Sequence, residues 1–224
     1  FRDRGSIPRL GAGFGLSQAT AYRYLDEVIG VLAEKAPGLR EALERALAEA
    51  TPYVIFDGKI VGSDRCHEKT ASRKGKETGL WYSGKRKDFG GNIQAVFYPD
   101  GRPMWVSDVL PGNVNDLSAA REMVLAVIGP FVDKMPVLAD AGYEGAGHGI
   151  LTPTRKLAGV KELDINTRTR NALIRSTRCL GERGFALLTQ RWQTLQHVTA
   201  SPGKIGQIAR AALVLTLFEH KMLT

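Results

Sequence analysis

The sequence predicts an α/β protein: a mixed sheet flanked by helices, preceded by a small all-α segment. Helical spacing without strand alternation fills the chain to about Ala50. Extended segments bounded by proline and glycine then follow one another, and two long helical stretches close the chain. With 224 residues, 43% hydrophobic and 24% charged, the chain can bury one core of ordinary size plus a small appendage. The expected division is a helical region over 1–50 and an α/β domain over 51–224.

From Ile7 to about Ala50 the helical pattern contains a sharp turn. Glycines 11, 13 and 15 precede Ser17, whose hydroxyl can accept from the free N–H groups of a following helix. The run Leu10 to Tyr24 therefore reads as helix, turn, helix. In a DNA-binding module of that kind the second helix enters the major groove, turning Gln18, Thr20, Ala21 and Arg23 toward bases or phosphates. An ordinary helical hairpin has the same pattern. Another helix, Gly38 to Ala50, ends at Thr51-Pro52, because the residue before proline is biased out of helix.

Tyr53 to Val61 is the first strand, with Asp57 in it or at its end. Asp64 to Arg86 carries Arg65, Lys69, Arg73, Lys74, Lys76, Lys85 and Arg86 around Leu80-Trp81-Tyr82, which reads as a mobile basic loop closed by an aromatic anchor. Asn92 to Tyr98 and Met104 to Leu110 flank the turn signal Pro99-Asp100-Gly101-Arg102 and form a hairpin. Asp116 to Ile128 is a helix with Leu117, Ala120, Val124 and Val127 on one face. Pro136 to Ala139 is a short buried strand ending in Asp140, followed by a glycine-rich loop and a weaker extended stretch from Ile150 to Pro153. Thr167 to about Val198 is a long helix bearing arginines 168, 170, 175, 178, 183 and 191, and Ile205 to Met222 is a final apolar helix.

Four carboxylates stand at the ends of apolar segments: Asp57, Asp116, Asp140 and Glu182. Acids at the edge of a core are costly unless a cation neutralises them. The formal net charge of +8, from 31 Lys and Arg against 23 Asp and Glu, favours a polyanionic partner such as DNA. The order strand, strand, strand, helix, strand, helix places these acids at one edge of a ribonuclease-H-like sheet. There their oxygens can share hard divalent ions, Mg2+ or Mn2+, which activate an attacking oxygen and stabilise a leaving oxygen at phosphorus. None of the four histidines recurs at zinc-ligand spacing.

The blocks Val54-Ile55-Phe56-Asp57-Gly58, Tyr82 to Lys87, Leu110 to Leu117, Leu138 to Gly145 and Leu180-Gly181-Glu182-Arg183 resemble, in order and approximate separation, the signatures of bacterial insertion-sequence transposases of the DDE endonuclease type, relatives of the Harbinger group. The resemblance implies Asp57, Asp140 and Glu182 as the catalytic triad, with Asp116 as a further metal ligand or as the second acid under another alignment. The second acid of this fold follows the fourth strand, which ranks Asp140 above Asp116. The resemblance also implies Mg2+ or Mn2+, double-stranded DNA as partner at element ends and target, and a homo-oligomer formed on DNA in the bacterial cytoplasm, at the nucleoid. The run Gly13 to Tyr24 is similar to the family's helix-turn-helix. The element before it should be longer than Ile7 to Leu10, Pro8 should disturb it, and Phe1-Arg2-Asp3-Arg4-Gly5 reads as the continuation of a chain already under way. A truncated N-terminal module is therefore expected.

DNA contacts are expected from Gln18, Thr20 and Arg23, from Arg175 and Arg178, and from Lys85, Arg86 and Lys87, which lie beside Trp81 and Tyr82 as if to pair phosphate contact with stacking on an unpaired base. Each acid also has a local explanation. Asp57 can form a turn with Gly58, Asp116 can favour a helix dipole, Asp140 can form an Asx turn, and Glu182 can pair with Arg178 one helical turn away. A nuclease that hydrolyses DNA without joining it, or an inactive or domesticated DNA-binding derivative, are the alternative functions. No run approaches the roughly 20 apolar residues of a membrane span, and no signal peptide opens the chain. Cys66 and Cys179 lie far apart without a C-x-x-C pair, so neither a disulfide framework nor a zinc knuckle is expected, and a reducing, cytoplasmic setting fits.

Overall fold

Three helices lead into the sheet: α1 (Ile7–Gly13), α2 (Gln18–Glu34) and α3 (Leu39–Ala48). The computed structural model describes residues 2, 5–71, 75, 77–156, 159 and 162–221. Arg73, Lys74 and Lys76 of the basic stretch, Phe1, Asp3, Arg4 and Met222 lie outside the described residues. Ser6 caps α1 by accepting from the Arg9 N–H, and Pro8 occupies the first turn. A missing N–H costs nothing there, so the disturbance expected of Pro8 does not arise. Ser17 caps α2, accepting from the Thr20 N–H at 3.2 Å. Ala21, expected to face DNA, is instead buried in α2 where α1 and α2 pack together.

The strands are β1 (Val54–Ser63), β2 (Lys69–Ala71), β3 (Glu77–Gly79), β4 (Tyr82–Ser83), β5 (Asp88–Phe97), β6 (Pro103–Pro111), β7 (Val137–Leu138) and β8 (His197–Val198). β1 runs antiparallel to β5 from Ile55 opposite Phe97 to Gly62 opposite Gly90, and β6 pairs antiparallel with β5. β7 joins the other edge of β1 in parallel, Ile55 opposite Leu138, and a parallel bridge links Leu138 to Leu151. The mixed order β6-β5-β1-β7 is compatible with a ribonuclease-H-like arrangement. β8 extends the same edge of β1 at Gly62 and Ser63. The stretch read as a mobile basic loop instead pairs β2 with β3. Its Trp81 is buried and donates from Nε1 to Glu68 at 2.6 Å, so it is not free to stack on a base.

Because successive side chains of a strand point to opposite faces, β1 feeds two cores. Val54 and Phe56 pack with Leu43, Val96, Ile128 and Tyr143 on one face. Ile55 and Val61 pack with Ile29, Phe97, Phe185 and Leu213 on the other. The first face is covered by α3 and by α4 (Asp116–Met123) and α5 (Leu125–Ile128), the last two replacing the single helix expected from Asp116 to Ile128. Val124 breaks that helix with φ −127° while its side chain stays buried. The second face is covered by α6 (Ile165–Thr189) and α7 (Ile205–Glu219), against which α2 lies. α6 stops well short of the expected Val198. Trp192 folds back to donate to Thr216 Oγ1 at 2.8 Å, which frees His197 and Val198 to pair with β1. Among the described residues no helix is long and apolar enough to cross a membrane.

Candidate active site

Asp57 sits inside β1, opposite Ala95, and not in a turn. Its parity with Ile55 turns it to the face of α6, where Arg178 approaches its Oδ2 at 3.3 Å. Its Oδ1 accepts from the Gly58 N–H at 2.9 Å. Continuing the parallel register of Ile55 with Leu138 by two residues brings Asp140 level with Asp57 at the end of β7. Asp140 Oδ1 accepts from the Gly142 N–H at 2.6 Å, the local Asx turn foreseen, while the acid remains partly open to solvent. Glu182 lies one helical turn beyond Arg178 on α6, 4.0 Å from its guanidinium, and its side chain is 72% exposed. Glycines flank it. A Cβ on Gly181 would stand 2.9 Å from Ile55 Cγ2, and one on Gly184 would collide with the Phe97 ring and the Gly101 carbonyl. Only glycine lets α6 approach the sheet this closely.

Asp116 stands on the opposite face, at the first position of α4. The cap of that helix is Asn115, whose Oδ1 accepts from the Ser118 N–H, so the Asp116 carboxylate is not needed for capping. It instead accepts from Asn92 Nδ2 at Oδ1 and from Lys85 Nζ at Oδ2, both at 2.9 Å.

These acids share one electrostatic neighbourhood. Burial pushes the Asp57 carboxyl up from 3.8 to about 6, against the pull of Arg178 and the Gly58 N–H, and the charges of Asp140 and Asp116 add to the rise. The Tyr143 hydroxyl is held far above its ordinary range by burial and then by Asp116, Asp57 and Asp140. Lys59, two residues from Asp57, is shifted down by burial and Arg86, while Asp57 and Glu182 oppose that shift. Its Nζ donates to Thr189 Oγ1 at 3.3 Å and lies over the Phe185 ring.

The profile of the DDE superfamily endonucleases matches residues 57–216, more than half of the chain, opening on Asp57 and spanning all four acids. The chain belongs to this family. No curated protein and no solved structure matches it.

DDE superfamily endonucleases generally work with divalent metals, and the donor chemistry here fits a hard cation. Among the described residues no three His, Cys, Asp or Glu side chains stand close enough to hold an ion as they are. Cationic side chains occupy the carboxylates instead: Arg178 on Asp57 and Lys85 on Asp116. Arg178 Nε is buried without a hydrogen-bond partner, so the guanidinium is imperfectly satisfied where it lies. Crowded carboxylates, one of them reluctant to ionise, are what a cation would relieve.

The other residues expected to contact DNA are spread over three regions of this endonuclease chain. Gln18 and Arg23 are exposed on α2, and Thr20 is half-buried with its hydroxyl 2.9 Å from that of Ser17. Arg86 is exposed and donates to the Ile60 carbonyl, Lys87 adopts φ 59° in the turn before β5, and Arg175 is exposed on α6. Among the described residues of this set, Lys85 and Arg178 touch the acids. Sequence reasoning missed Asn92 and Gln94, both fully buried, and Lys59. The one available signal was amides in a strand whose other residues are apolar.

Gly58 faces Asp116, on the side of the sheet opposite the Asp57 side chain. A Cβ there would lie 2.5 Å from Gln94 Nε2, 2.6 Å from Tyr143 Oη and 3.0 Å from Asp116 Oδ1. The Asp-Gly pair therefore serves close approach within a strand. Overpacking by Gly58→Ala is expected to lower stability by about 1–3 kcal/mol, read as a lower urea midpoint with unchanged slope. An unaltered midpoint would mean the amide network yields without cost.

Proposed function

We propose that the chain is a transposase that cuts DNA at element ends and joins the freed 3′ hydroxyl to target DNA. Asp57, Asp140 and Glu182 are its catalytic acids, and Asp116 is an accessory metal ligand. The observation that carries this reading is Asp57 itself: a buried, reluctantly ionised carboxylate on the central strand, level with Asp140 and facing the helix of Glu182. A bound Mg2+ or Mn2+ would supply Lewis acidity at phosphorus and a nucleophilic oxygen at neutral pH. The chain's own residues position the substrate: Arg178 and Lys85 exchange their carboxylate partners for DNA phosphates, while Lys59 holds positive charge beside the scissile group. Such positioning and fixed charge carry phosphoryl transfer.

The same reading makes residues 51–224 a ribonuclease-H-like catalytic domain and 1–50 a partial helix-turn-helix region, with Gln18, Thr20 and Arg23 toward the duplex and Lys85, Arg86, Lys87, Arg175 and Arg178 along the DNA track. It places the chain with bacterial insertion-sequence transposases of the Harbinger-related branch, acting as an oligomer on DNA. The test is cleavage of a DNA end with Mg2+ or Mn2+. Glu182→Ala and Asp140→Ala should each lose it while keeping the wild-type melting curve, and full activity in either would remove that residue from the triad. The family's description as endonucleases favours a second reading, hydrolysis without joining. A pre-cut end separates the two, since only a transposase yields a joined product.

A further inference from the structure

A chain of buried hydrogen bonds ends on Asp116. Tyr143 Oη donates to Gln94 Oε1 at 2.7 Å, Gln94 Nε2 donates to Asn92 Oδ1 at 2.8 Å, and Asn92 Nδ2 donates to Asp116 Oδ1 at 2.9 Å. The second proton of Asn92 Nδ2 goes to the Val114 carbonyl at 3.0 Å. Asn92 and Gln94 are fully buried and Tyr143 is 1% exposed. Burying three polar side chains is tolerable only when every member is satisfied.

The direction of this chain is forced by the Val114 carbonyl. The Val114 carbonyl can only accept, so Asn92 must turn its amino group toward it and hence toward Asp116. Its oxygen then faces Gln94, which must donate, and the Gln94 oxygen takes the tyrosine proton. Reversing either amide would set acceptor against acceptor. The network thus presents an N–H donor to Asp116, and it lies directly behind the strand that carries Asp57, against the bare Cα of Gly58. Two of the roughly four lone-pair positions of the carboxylate are taken, by Asn92 and Lys85, which leaves room for an ion.

We propose that Asn92, Gln94 and Tyr143 are positioning residues that orient Asp116 as a metal ligand. The proposal rests on the metal reading given above. Hydrogen-bonded partners of this kind fix the torsion of a ligating carboxylate, and removing one commonly costs 10- to 100-fold in metal affinity.

The experiment is titration of the DNA-free protein with Mn2+ alone, followed by calorimetry or by the loss of the free-ion EPR signal. Asn92→Ala and Asp116→Ala are each expected to weaken binding by about 10- to 100-fold. The double variant should be no weaker than Asp116→Ala alone, a coupling that general loosening of the fold would not produce. Tyr143→Phe, which keeps the ring in the core, should weaken Mn2+ binding several-fold, and it decides the matter if Asn92→Ala does not fold. Wild-type affinity in Asn92→Ala or in Tyr143→Phe, or losses that simply add in the double variant, would overturn the proposal. Asp57→Ala is the control: if it leaves Mn2+ binding intact the metal reading itself fails, whereas its loss alongside unaffected Asn92→Ala overturns only the positioning role.

Discussion

Asp57→Ala is expected to reduce metal-dependent cleavage by about a thousandfold, corresponding to roughly 4 kcal/mol of lost transition-state stabilisation. Three features make this the most sensitive position. Asp57 lies on the central strand, paired on both edges nearby, so its backbone is the best fixed of the four acids. Burial opposes its ionisation, so a bound cation gains from relieving it. It also holds Arg178, which would be left half-buried with only a distant Glu182 for company. Asp57→Asn keeps the shape and removes the charge, so equal losses in both variants would trace the defect to charge. Nicking of supercoiled DNA in Mn2+ provides the rate, and a loss smaller than tenfold would exclude Asp57 from the triad.

Without metal, Asp57 should work against folding at neutral pH. Its folded carboxyl titrates at about 6 against 3.8 for an ordinary aspartate. Between those values the native protein keeps a proton that the unfolded chain has released. Native stability is then fully retained below about pH 4 and is lost as pH rises through 6. The shift corresponds to about 3 kcal/mol at pH 7. Asp57→Asn mimics the protonated form, so in metal-free buffer it should be more stable than wild type at pH 7 by up to about 3 kcal/mol, with the difference gone by pH 4. Adding Mn2+ at pH 7 should stabilise wild type and leave Asp57→Asn nearly unmoved. Urea unfolding at the two pH values measures this, and a pH-independent difference would contradict the linkage.

Both predictions concern a residue that the sequence already exposed, because an acid closing an apolar run is conspicuous. The same is true of the β5–β6 hairpin, announced by Pro99-Asp100-Gly101, and of the helix cap at Ser17. What local pattern could not give is partnership across distance. Arg178 had an obvious neighbour in Glu182, yet its nearer partner is Asp57, 121 residues away. Asn92 and Gln94 are fully buried because helices cover both faces of β5 and leave no solvent for them, a cover that the strand itself does not disclose. The end of α6 was overrun because Trp192 and Leu195 continue an apolar rhythm after the backbone has turned. Short strands such as β2, β3 and β8 owe their pairing to neighbours, and carry too few residues to show a period.

The two glycines that seat α6 against Phe97 and Ile55 also determine how quickly the proposed site could assemble. A helix already this close to the sheet has no room to move nearer to it at Gly181 and Gly184. Glu182, largely exposed and 4.0 Å from the Arg178 guanidinium, can reorient by its own torsions. Such rotations take picoseconds to nanoseconds, far faster than domain movement. Ion capture at Glu182 would then be limited by the departure of the arginine and the arrival of DNA, with the protein framework already in its working position.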